Sequence, residues 1–300
     1  MHLQRKAGLP AVRVADVVNI ARAAGRVIMD VYESNPETWD SRVKTDDTPV
    51  TKADLMADEL IRTRLLDAYP DIPIISEECE KLPYEERRDY ELCWVVDPLD
   101  GTKEFIKRTG DFAVMIGLSS HGKSVLGVVH APAQQPPKTY YAVVDKGAYV
   151  LPGGEDRCGE ELEGSERISA QSFGLQDSGL RLAVSHSRPP QSFIAACNAP
   201  VTCSIGSAGL KAIAVANGTA DVFPCLYSTS EWDTCAPQVI VEEAGGHVLA
   251  LEGAGEGGMA DVAALLLSRN AGATSSGHLK YNKADLSSPH CLFLGHCSAH

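Results

Sequence analysis

The chain of 300 residues predicts an α/β fold whose N-terminal half is of the α+β type. Apolar residues recur at helical spacing over residues 12–32 and again after Thr51, which predicts two amphipathic helices. Three apolar runs follow between residues 112 and 144, and the turn His121-Gly122-Lys123 between the first two indicates an antiparallel meander. From residue 181 onward, strands and helices alternate, and this alternation favours an α/β layer.

The length of the chain is sufficient for a large domain with a substantial core. Hydrophobic residues make up 44% of the sequence, which is typical of a globular protein. Residues 153–166 are rich in glycine and acidic side chains, a composition that indicates a surface hinge. We therefore expect a single domain over residues 1–300, with one subdomain over 12–150 and a second over 167–300.

The charge of the chain restricts its partners. The formal net charge is −13, so we expect no basic face from which a nucleic-acid polymer could release counterions. A small anionic substrate is compatible with this charge only if metal ions or a few local cations offset the negative field.

The cysteines and the hydropathy pattern indicate a cellular location. The nine cysteines are odd in number and form no Cys-x-x-Cys pair, so neither a disulfide framework nor a zinc site is indicated. Free thiols favour a reducing compartment. Residues 1–11 contain no apolar signal region, and no uncharged stretch reaches transmembrane length. We expect a cytoplasmic protein without a membrane partner.

One turn, after the buried strand predicted from Leu92 to Val96, concentrates groups that could carry chemistry. Asp97 stands where we expect the strand to end, because Pro98 cannot donate to a sheet. The Leu99 carbonyl, Asp100, Gly101 and Thr102 follow at once, and Thr102 is the expected start of a helix. Such a turn could hold Mg²⁺ and a phosphate group, although an isolated Asp-Pro-x-Asp-Gly is more often a plain acidic turn.

Three more acidic side chains stand at the ends of predicted elements. Asp54 forms a capping box with Thr51, or it faces the central turn as a candidate base. Glu77 follows a short strand predicted over residues 72–75, where a solvated glutamate is the simpler interpretation. Asp233 precedes a helical stripe and could serve as a cap for it.

Convergence of these acids would require positive charge. If Glu77, Asp97, Asp100 and Asp233 met without cations, they would repel one another and shift each other's pKa values. Divalent metal ions resolve this repulsion, and two ions on shared carboxylates can activate water and stabilise the leaving oxygen of a phosphoester. In that arrangement Asp54 and the Thr102 hydroxyl would supply the base and the group that orients the water.

Five segments of the chain resemble the signature motifs of the lithium-sensitive, Mg²⁺-dependent phosphatase superfamily of inositol monophosphatases, fructose bisphosphatases and 3′(2′),5′-bisphosphate nucleotidases. They are Pro-Val-Thr-Lys-Ala-Asp at 49–54, Ser-Glu-Glu at 76–78, Trp-Val-Val-Asp-Pro-Leu-Asp-Gly-Thr-Lys-Glu-Phe at 94–105, Trp-Asp-Thr-Cys-Ala-Pro at 232–237 and Leu-Lys-Tyr-Asn-Lys at 279–283. The resemblance implies one phosphatase domain folded as a layered α-β-α-β-α sandwich.

The residues after Asp-Gly-Thr discriminate within this superfamily. Inositol monophosphatases usually continue Thr-Asn-Phe and fructose bisphosphatases read Asp-Gly-Ser-Ser, whereas Lys103-Glu104-Phe105 is similar to the bisphosphate nucleotidases. This resemblance implies a nucleotide substrate, with hydrolysis of the 3′-phosphate of adenosine 3′,5′-bisphosphate to give AMP. It also implies 3′-phosphoadenylyl sulfate as a second substrate, a link to sulfur assimilation, and in some members activity on inositol 1,4-bisphosphate.

The superfamily resemblance also implies roles for individual residues. Asp54 and Thr102 correspond to the pair that activates water, and Gly101 and Thr102 correspond to amides that hold the phosphate. Ser185, His186, Ser207 and Lys211 correspond to the nucleotide site, with Lys211 near the second phosphate and Asp233 also facing the substrate. The expected ligands of two or three Mg²⁺ ions are Glu77, Asp97, the Leu99 carbonyl, Asp100 and Asp233, with Li⁺ as inhibitor.

Two features depart from the family pattern, and three alternative functions deserve comparison. Ser207 stands where related members often have glycine, and residues 253–277 are longer than the turn expected there, so we expect that segment to be dispensable. The nearest alternative is an inositol monophosphatase, which would have no use for the Lys211 loop. An inactive nucleotide sensor would need a lost ligand, and a calcium-stabilised module would fit the absence of repeats poorly.

Overall fold

The structure is a computed structural model that describes residues 11–44, 48–153, 162–173, 180–197, 200–251 and 278–297. Its helices are α1 (Val14–Glu33), α2 (Lys52–Ala68), α3 (Tyr84–Arg87), α4 (Thr102–Ile106), α5 (Gln191–Cys197), α6 (Ala208–Ala216) and α7 (Glu231–Glu243), with a 3₁₀ turn at Pro36–Thr38. Its strands are β1 (Arg42–Val43), β2 (Pro49–Val50), β3 (Ile74–Ser76), β4 (Leu92–Asp100), β5 (Ala113–Ser120), β6 (Lys123–Ala131), β7 (Lys138–Val143), β8 (Ala148–Pro152), β9 (Glu166–Ile168), β10 (Ser172–Phe173), β11 (Leu182–Val184), β12 (Val201–Ser204), β13 (Val222–Cys225), β14 (Thr229–Ser230), β15 (His247–Ala250), β16 (Ser287–Ser288), β17 (Cys291–Leu294) and β18 (His296–Cys297).

The larger sheet has seven strands in the sequential order β3-β4-β5-β6-β7-β8-β9. Every neighbouring pair is antiparallel except β3 and β4, which run parallel. His121 and Gly122 connect β5 to β6 with positive φ angles of 48° and 76°, as a tight hairpin requires. This sheet confirms the predicted antiparallel meander.

The second sheet has five strands in the order β12-β11-β13-β17-β15. Strands β11, β12 and β13 are parallel, and β17 runs antiparallel to both β13 and β15. Helices α5 and α6 come between these parallel strands along the chain, which confirms the alternation predicted from residue 181 onward.

The side chains of β4 show how the layers are arranged. Val95 faces a core shared with α6, α7 and the second sheet, whereas its neighbours Trp94 and Val96 face the opposite core, which α1 and α2 cover. On the outer side of the second sheet, Phe193 of α5 packs with Leu182 and other residues of that sheet. The order of layers is therefore α1/α2, large sheet, α6/α7, small sheet and α5, which is the predicted α-β-α-β-α sandwich.

Two glycines allow α7 to approach the large sheet closely. A Cβ added to Gly127 of β6 would lie 2.2 Å from the Ala236 carbonyl oxygen, and one added to Gly117 of β5 would lie 2.7 Å from Cys235 Sγ. These distances are too short for a methyl group, so the sheet contacts the first turns of α7 through bare backbone. The contact fixes the position of the helix that carries Asp233.

Two parts of the chain are also connected by a buried arginine. Arg87 of α3 donates to Asn282 Oδ1 at 2.8 Å, to the Lys283 carbonyl at 2.6 Å and to the Ala284 carbonyl at 3.0 Å. In return, Asn282 Nδ2 donates to the Arg87 carbonyl at 2.6 Å. The C-terminal segment is thereby attached to α3, since Asn282 lies 195 residues after Arg87.

The structure corrects one boundary and leaves others untested. The prediction that the sheet ends at Pro98 is wrong: β4 continues to Asp100, and its pairing with β5 is interrupted after Asp97 and resumes at Asp100. The predicted hinge at 153–166 lies mainly outside the described residues, and β8 and β9 on its two sides pair with each other. The division into two subdomains remains a prediction, and residues 253–277 lie outside the described ranges.

None of the helices in the described ranges combines the length and the hydrophobicity that a membrane span requires.

Candidate active site

The end of β4 forms the centre of the candidate site. The interrupted pairing between Asp97 and Asp100 makes the strand bulge, and the Leu99 amide donates to Asp97 Oδ1 at 3.0 Å across this bulge. Gly101 then takes a φ of 98°, which a residue with a side chain rarely adopts, and α4 begins at Thr102. A Cβ on Gly101 would also lie 2.7 Å from the Asp111 carbonyl oxygen.

Three carboxylates come together at this bulge. Asp97 and Asp100 of β4 and Asp233 of α7 each have an oxygen within 4.8 Å of the others. Asp233 reaches the group from the first turn of α7, where its Oδ2 accepts the Ser230 amide at 2.6 Å. The cap predicted for Asp233 is therefore present, and three of the four carboxylates predicted to converge form the group, whereas Glu77 is outside it.

Burial and mutual repulsion disfavour ionisation of these acids. Burial, followed by the charges of Glu77, Asp100 and Asp233, raises the pKa of Asp97 well above its usual range. Burial and the nearby Asp100 raise the pKa of Asp233 in the same way. These buried carboxylates offer only oxygen atoms as ligands, which is what a hard divalent cation prefers. Such a cation would compensate the repulsion among their negative charges.

Asp54 and Thr102 form a second group beside the turn. The Thr102 hydroxyl donates to Asp54 Oδ1 at 2.9 Å, and it lies 3.3 Å from the Leu99 carbonyl oxygen. The other oxygen of Asp54 accepts both the amide and the hydroxyl of Thr51, at 2.8 and 2.6 Å. The capping box predicted at the start of α2 is confirmed, and the same carboxylate faces the central turn.

Glu77 lies next to Asp97, where a lysine contacts it. The Glu77 amide donates to the Val96 carbonyl at 3.0 Å, so the residue continues β3 beside β4. Lys44, just after β1, places its ammonium 2.8 Å from Glu77 Oε1 and 2.6 Å from Glu78 Oε1. Burial opposes the charge of Lys44, but the two glutamates outweigh it and raise the pKa of the lysine. Glu77 is therefore paired with a cation, not freely solvated.

Asp100 is attached to the loop that precedes α6. The Ser207 hydroxyl donates to Asp100 Oδ2, the Gly209 amide donates to the same oxygen at 2.7 Å, and the Ala208 amide donates to Oδ1 at 3.2 Å. Ser207 also caps α6, since its Oγ accepts the Leu210 amide at 3.1 Å. The serine that departs from the family pattern thus connects a candidate metal ligand to the candidate nucleotide loop.

Lys211 of α6 provides a buried positive charge beside the acids. Its residue is 1% exposed, and its ammonium donates to the Gly206 carbonyl at 3.0 Å beneath that loop. The same ammonium lies 5.2 Å and 5.4 Å from the ring centres of Phe223 and Tyr227. Burial lowers the pKa of Lys211, while the charge of Asp100 counteracts this effect.

The remaining predicted residues lie after β11. Ser185 is buried, with its Oγ 3.4 Å from Ser187 Oγ, and His186 places Nδ1 3.6 Å from Asp111 Oδ2. Asp111 also accepts the Gly206 amide at 3.4 Å, so it connects His186 with the loop before α6.

Three residues near the site did not emerge from the sequence as site residues. Lys44 stands in a polar stretch without periodicity, and Asp111 stands in a connection between α4 and β5, so neither carried a local signal. Glu104 was part of the quoted motif but received no role; it is 6% exposed and lies against Gly206. Its place within that motif was the only signal for it.

Comparisons with known proteins identify the family of the chain. The profile of the Inositol monophosphatase family matches residues 11–286, and the chain therefore belongs to that family. The family is metal-dependent, and the cluster of Asp97, Asp100 and Asp233 could hold a metal ion.

Individual relatives give a more specific similarity. The chain is 36% identical over 240 residues to the 3′(2′),5′-bisphosphate nucleotidase CysQ of Aggregatibacter actinomycetemcomitans, covering 79% of this chain and 83% of that protein. It is 36% identical over 245 residues to the protein of the same name from Escherichia coli strain K12, covering 77% and 88%. The crystal structure of CysQ from Bacteroides thetaiotaomicron superposes with a TM-score of 0.73 at 32% identity, covering 95% of this chain and 97% of that one.

Proposed function

We propose that the protein is a Mg²⁺-dependent 3′(2′),5′-bisphosphate nucleotidase that hydrolyses the 3′-phosphate of adenosine 3′,5′-bisphosphate to give AMP and phosphate. The observation that carries the proposal is the meeting of Asp97, Asp100 and Asp233 beside the hydrogen-bonded pair Asp54 and Thr102. The shared name of the similar proteins supports the nucleotide as substrate. By the same resemblance, 3′-phosphoadenylyl sulfate and inositol 1,4-bisphosphate are further candidate substrates.

The residues that would hold the metal ions all offer oxygen. Asp97, Asp100 and Asp233 would form the shared part of the site, and Glu77 and the Leu99 carbonyl would complete it. When bound, two or three Mg²⁺ ions would polarise water and offset the charge of the phosphate and of the leaving ribose oxygen. The ammonium of Lys44 contacts the carboxylate of Glu77, so this carboxylate is within reach of a positively charged group.

Asp54 and Thr102 would orient and deprotonate the attacking water. The hydroxyl of Thr102 donates to Asp54 Oδ1, so its lone pairs stay available to accept a hydrogen bond from water, and the Thr102 proton would pass to Asp54 as the proton of the water moves to Thr102. Burial raises the pKa of Asp54, and a higher pKa makes its carboxylate a better acceptor for that proton. Thr51 binds the other carboxylate oxygen and so keeps the first one directed at Thr102.

Cationic and polar groups nearby would bind the rest of the substrate. The amides of Gly101 and Thr102, at the start of α4, would donate to the phosphate that is cleaved. Lys211 would offset the charge of the second phosphate, and Ser185, His186 and Ser207 would contact the nucleoside. The same proposal places the enzyme in the cytoplasm, and the free cysteines of the described residues fit a reducing compartment.

A phosphate-release assay tests the proposal. The purified protein is incubated with adenosine 3′,5′-bisphosphate, 3′-phosphoadenylyl sulfate, inositol 1,4-bisphosphate and inositol 1-phosphate, each with MgCl₂ and with EDTA. We expect the highest kcat/KM for the adenosine bisphosphate, and no turnover in EDTA until Mg²⁺ is restored. Faster hydrolysis of inositol 1-phosphate would contradict the proposal and favour an inositol monophosphatase.

Lithium provides a test of the metal site. Li⁺ has nearly the size of Mg²⁺ but half its charge, so it would fit an oxygen-lined site yet compensate less of the carboxylate and phosphate charge. We expect LiCl to inhibit hydrolysis in an uncompetitive or mixed manner with respect to substrate. KCl at equal ionic strength is the control, and superimposable curves for the two salts would contradict a Li⁺-sensitive metal site.

A further inference from the structure

Glu104 is a nearly buried carboxylate on the turn that carries Thr102. Its residue is 6% exposed, on the second position after Thr102 in α4. The side chain lies against Gly206, because a Cβ added to that glycine would be 1.9 Å from Glu104 Cγ and 2.8 Å from Oε1. Glu104 therefore stands between the helix at the centre of the site and the loop that Lys211 supports.

The carboxylate lacks a partner that would explain its burial. Within the described residues, its hydrogen bonding is limited to its own backbone amide, and it forms no ion pair with the two lysines that influence it, Lys107 and Lys211. The charge of Asp100 lies close enough to disfavour ionisation of Glu104 further. The Glu104 oxygens are not among the buried, unpaired polar atoms of the described residues, so they remain open to a donor from outside the chain.

The chemistry of the proposed substrate identifies such a donor. Phosphate oxygens only accept hydrogen bonds when they are fully ionised, whereas the ribose of a nucleoside 3′,5′-bisphosphate carries a free hydroxyl on C2′. This hydroxyl is attached to the carbon next to the one that bears the phosphate to be cleaved. Thr102 faces Asp54, whereas Glu104 lies on the side of α4 that faces Gly206, in the loop whose next residues donate to Asp100.

We infer that Glu104 is a specificity-determining residue whose carboxylate accepts a hydrogen bond from the ribose hydroxyl next to the cleaved phosphate. The inference rests on the proposed function and makes it more specific, since it assigns the recognition of a ribose as opposed to a deoxyribose. The small residue at position 206 leaves the space that the carboxylate needs beside the loop.

The first measurement compares two substrates on the unmodified protein. Adenosine 3′,5′-bisphosphate and its 2′-deoxy analogue differ only in the hydroxyl concerned. A hydrogen bond to a charged acceptor is strong enough for us to expect kcat/KM about tenfold lower for the deoxy analogue. Failure to hydrolyse either nucleotide would overturn the proposed function, whereas equal rates on both would overturn only the role of Glu104.

Two variants then locate the discrimination. Glu104→Met keeps the length of the side chain but removes both oxygens, and we expect it to lower kcat/KM about tenfold for the ribose substrate and to leave the deoxy substrate within about twofold. Glu104→Gln retains a neutral acceptor and should lose only part of the preference. Glu85→Met, at an exposed glutamate of α3, is the matched control and should preserve the preference fully.

The outcomes separate recognition from a structural role. Equal losses of Glu104→Met on both substrates would show that Glu104 supports the loop instead of reading the hydroxyl, and would overturn the inference. A loss confined to the ribose substrate and expressed mainly in KM would support it. A thermal melt of each variant, compared with that of the Glu85→Met control, shows whether any loss arises from unfolding.

Discussion

At the scale of single residues, the repulsion among Asp97, Asp100 and Asp233 links stability to metal binding. Burial and like charges raise the pKa of Asp97, so the folded chain holds its proton to a higher pH than the unfolded chain does. Without a cation, the free energy of unfolding therefore falls as the pH rises from the pKa that Asp97 has in the unfolded chain to the higher pKa that it has in the folded chain. A bound cation should reverse the effect.

Asp97→Asn tests this link. The amide removes one of the repelling charges, so we expect the variant to melt at a higher temperature than the unmodified protein in EDTA. The rise in melting temperature caused by MgCl₂ should be smaller for the variant, and turnover should be lost. Thermal melts with and without Mg²⁺, together with the phosphate assay, measure both effects. Near-normal activity at saturating Mg²⁺ would rule out Asp97 as a metal ligand.

Lys211→Met tests the buried cation. Methionine keeps an unbranched side chain of similar length beside Phe223 and Tyr227, while the charge over their rings is lost. If Lys211 offsets a second phosphate, KM should rise about tenfold or more for adenosine 3′,5′-bisphosphate and much less for adenosine 3′-monophosphate. Lys107→Met, at an exposed lysine after α4, is the control. Equal losses on both substrates would mean that the lysine only supports the Gly206 loop.

At the scale of elements, the contact between α7 and the large sheet depends on glycine. Gly127→Ala would place a methyl group 2.2 Å from the Ala236 carbonyl oxygen, so α7 or β6 would have to move. We expect the free energy of unfolding to fall by about 1–3 kcal/mol, as overpacking typically costs. Urea denaturation measures this change, with Lys123→Ala, an exposed position of the same strand, as the control. Equal stability of the two variants would refute close contact at this position.

His130 of β6 gives the fold a pH dependence. Burial, reinforced by the charge of Arg22, lowers the pKa of His130 to about 3, and Nδ1 lies 3.0 Å from Thr139 Oγ1. Because the unfolded chain takes up the proton near pH 6.5, stability is complete above that value and falls as the pH decreases toward 3.

His130→Gln should remove this part of the pH dependence. Below pH 6.5, proton uptake at this histidine by the unfolded chain alone lowers the free energy of unfolding by up to about 1.4 kcal/mol per pH unit. The decrease in stability between pH 6.5 and pH 5 should therefore be shallower in the variant. Urea denaturation at several pH values measures the slope. His290→Gln is a comparison at a second histidine, and an unchanged slope for His130→Gln would show that His130 does not cause it.

The sequence predicted those elements whose signals are local. The start of α2 was predictable because Thr51 and Asp54 form a cap and lie three residues apart. For α7 the sequence indicated only that Asp233 is near the helix start, and the helix begins earlier, at Glu231, with Ser230 as its cap. The end of β4 was not, because the prediction assumed that Pro98 would end the sheet, whereas the bulge leaves the proline unpaired and lets pairing resume at Asp100. Lys44 reaches Glu77 across 33 residues, and such a contact has no pattern in one sequence. The roles of the site residues remain predictions.

At the scale of the whole molecule, Arg87 connects the C-terminal segment to the first half of the chain. Arg87→Met removes a charged donor from three acceptors, of which the contact to Asn282 is buried and the other two are partly buried, so we expect the free energy of unfolding to fall by about 2 kcal/mol or more. Arg88→Met is a close control, because Arg88 is exposed and its one ion pair within the described residues is with the exposed Asp89, at 3.6 Å. Urea denaturation of both variants decides the matter; similar midpoints would show that the connection contributes little.

The two caps at Asp54 and Asp233 have a consequence for how substitutions in this protein should be interpreted. In each acid, one oxygen accepts the amide that begins a helix, at 2.8 Å from Thr51 and 2.6 Å from Ser230, and the other oxygen is left for the site. Folding and chemistry are therefore divided between two atoms of one side chain. Exchange for asparagine keeps an acceptor for the helix and removes the charge, whereas alanine removes both, so only the first change reports on catalysis alone.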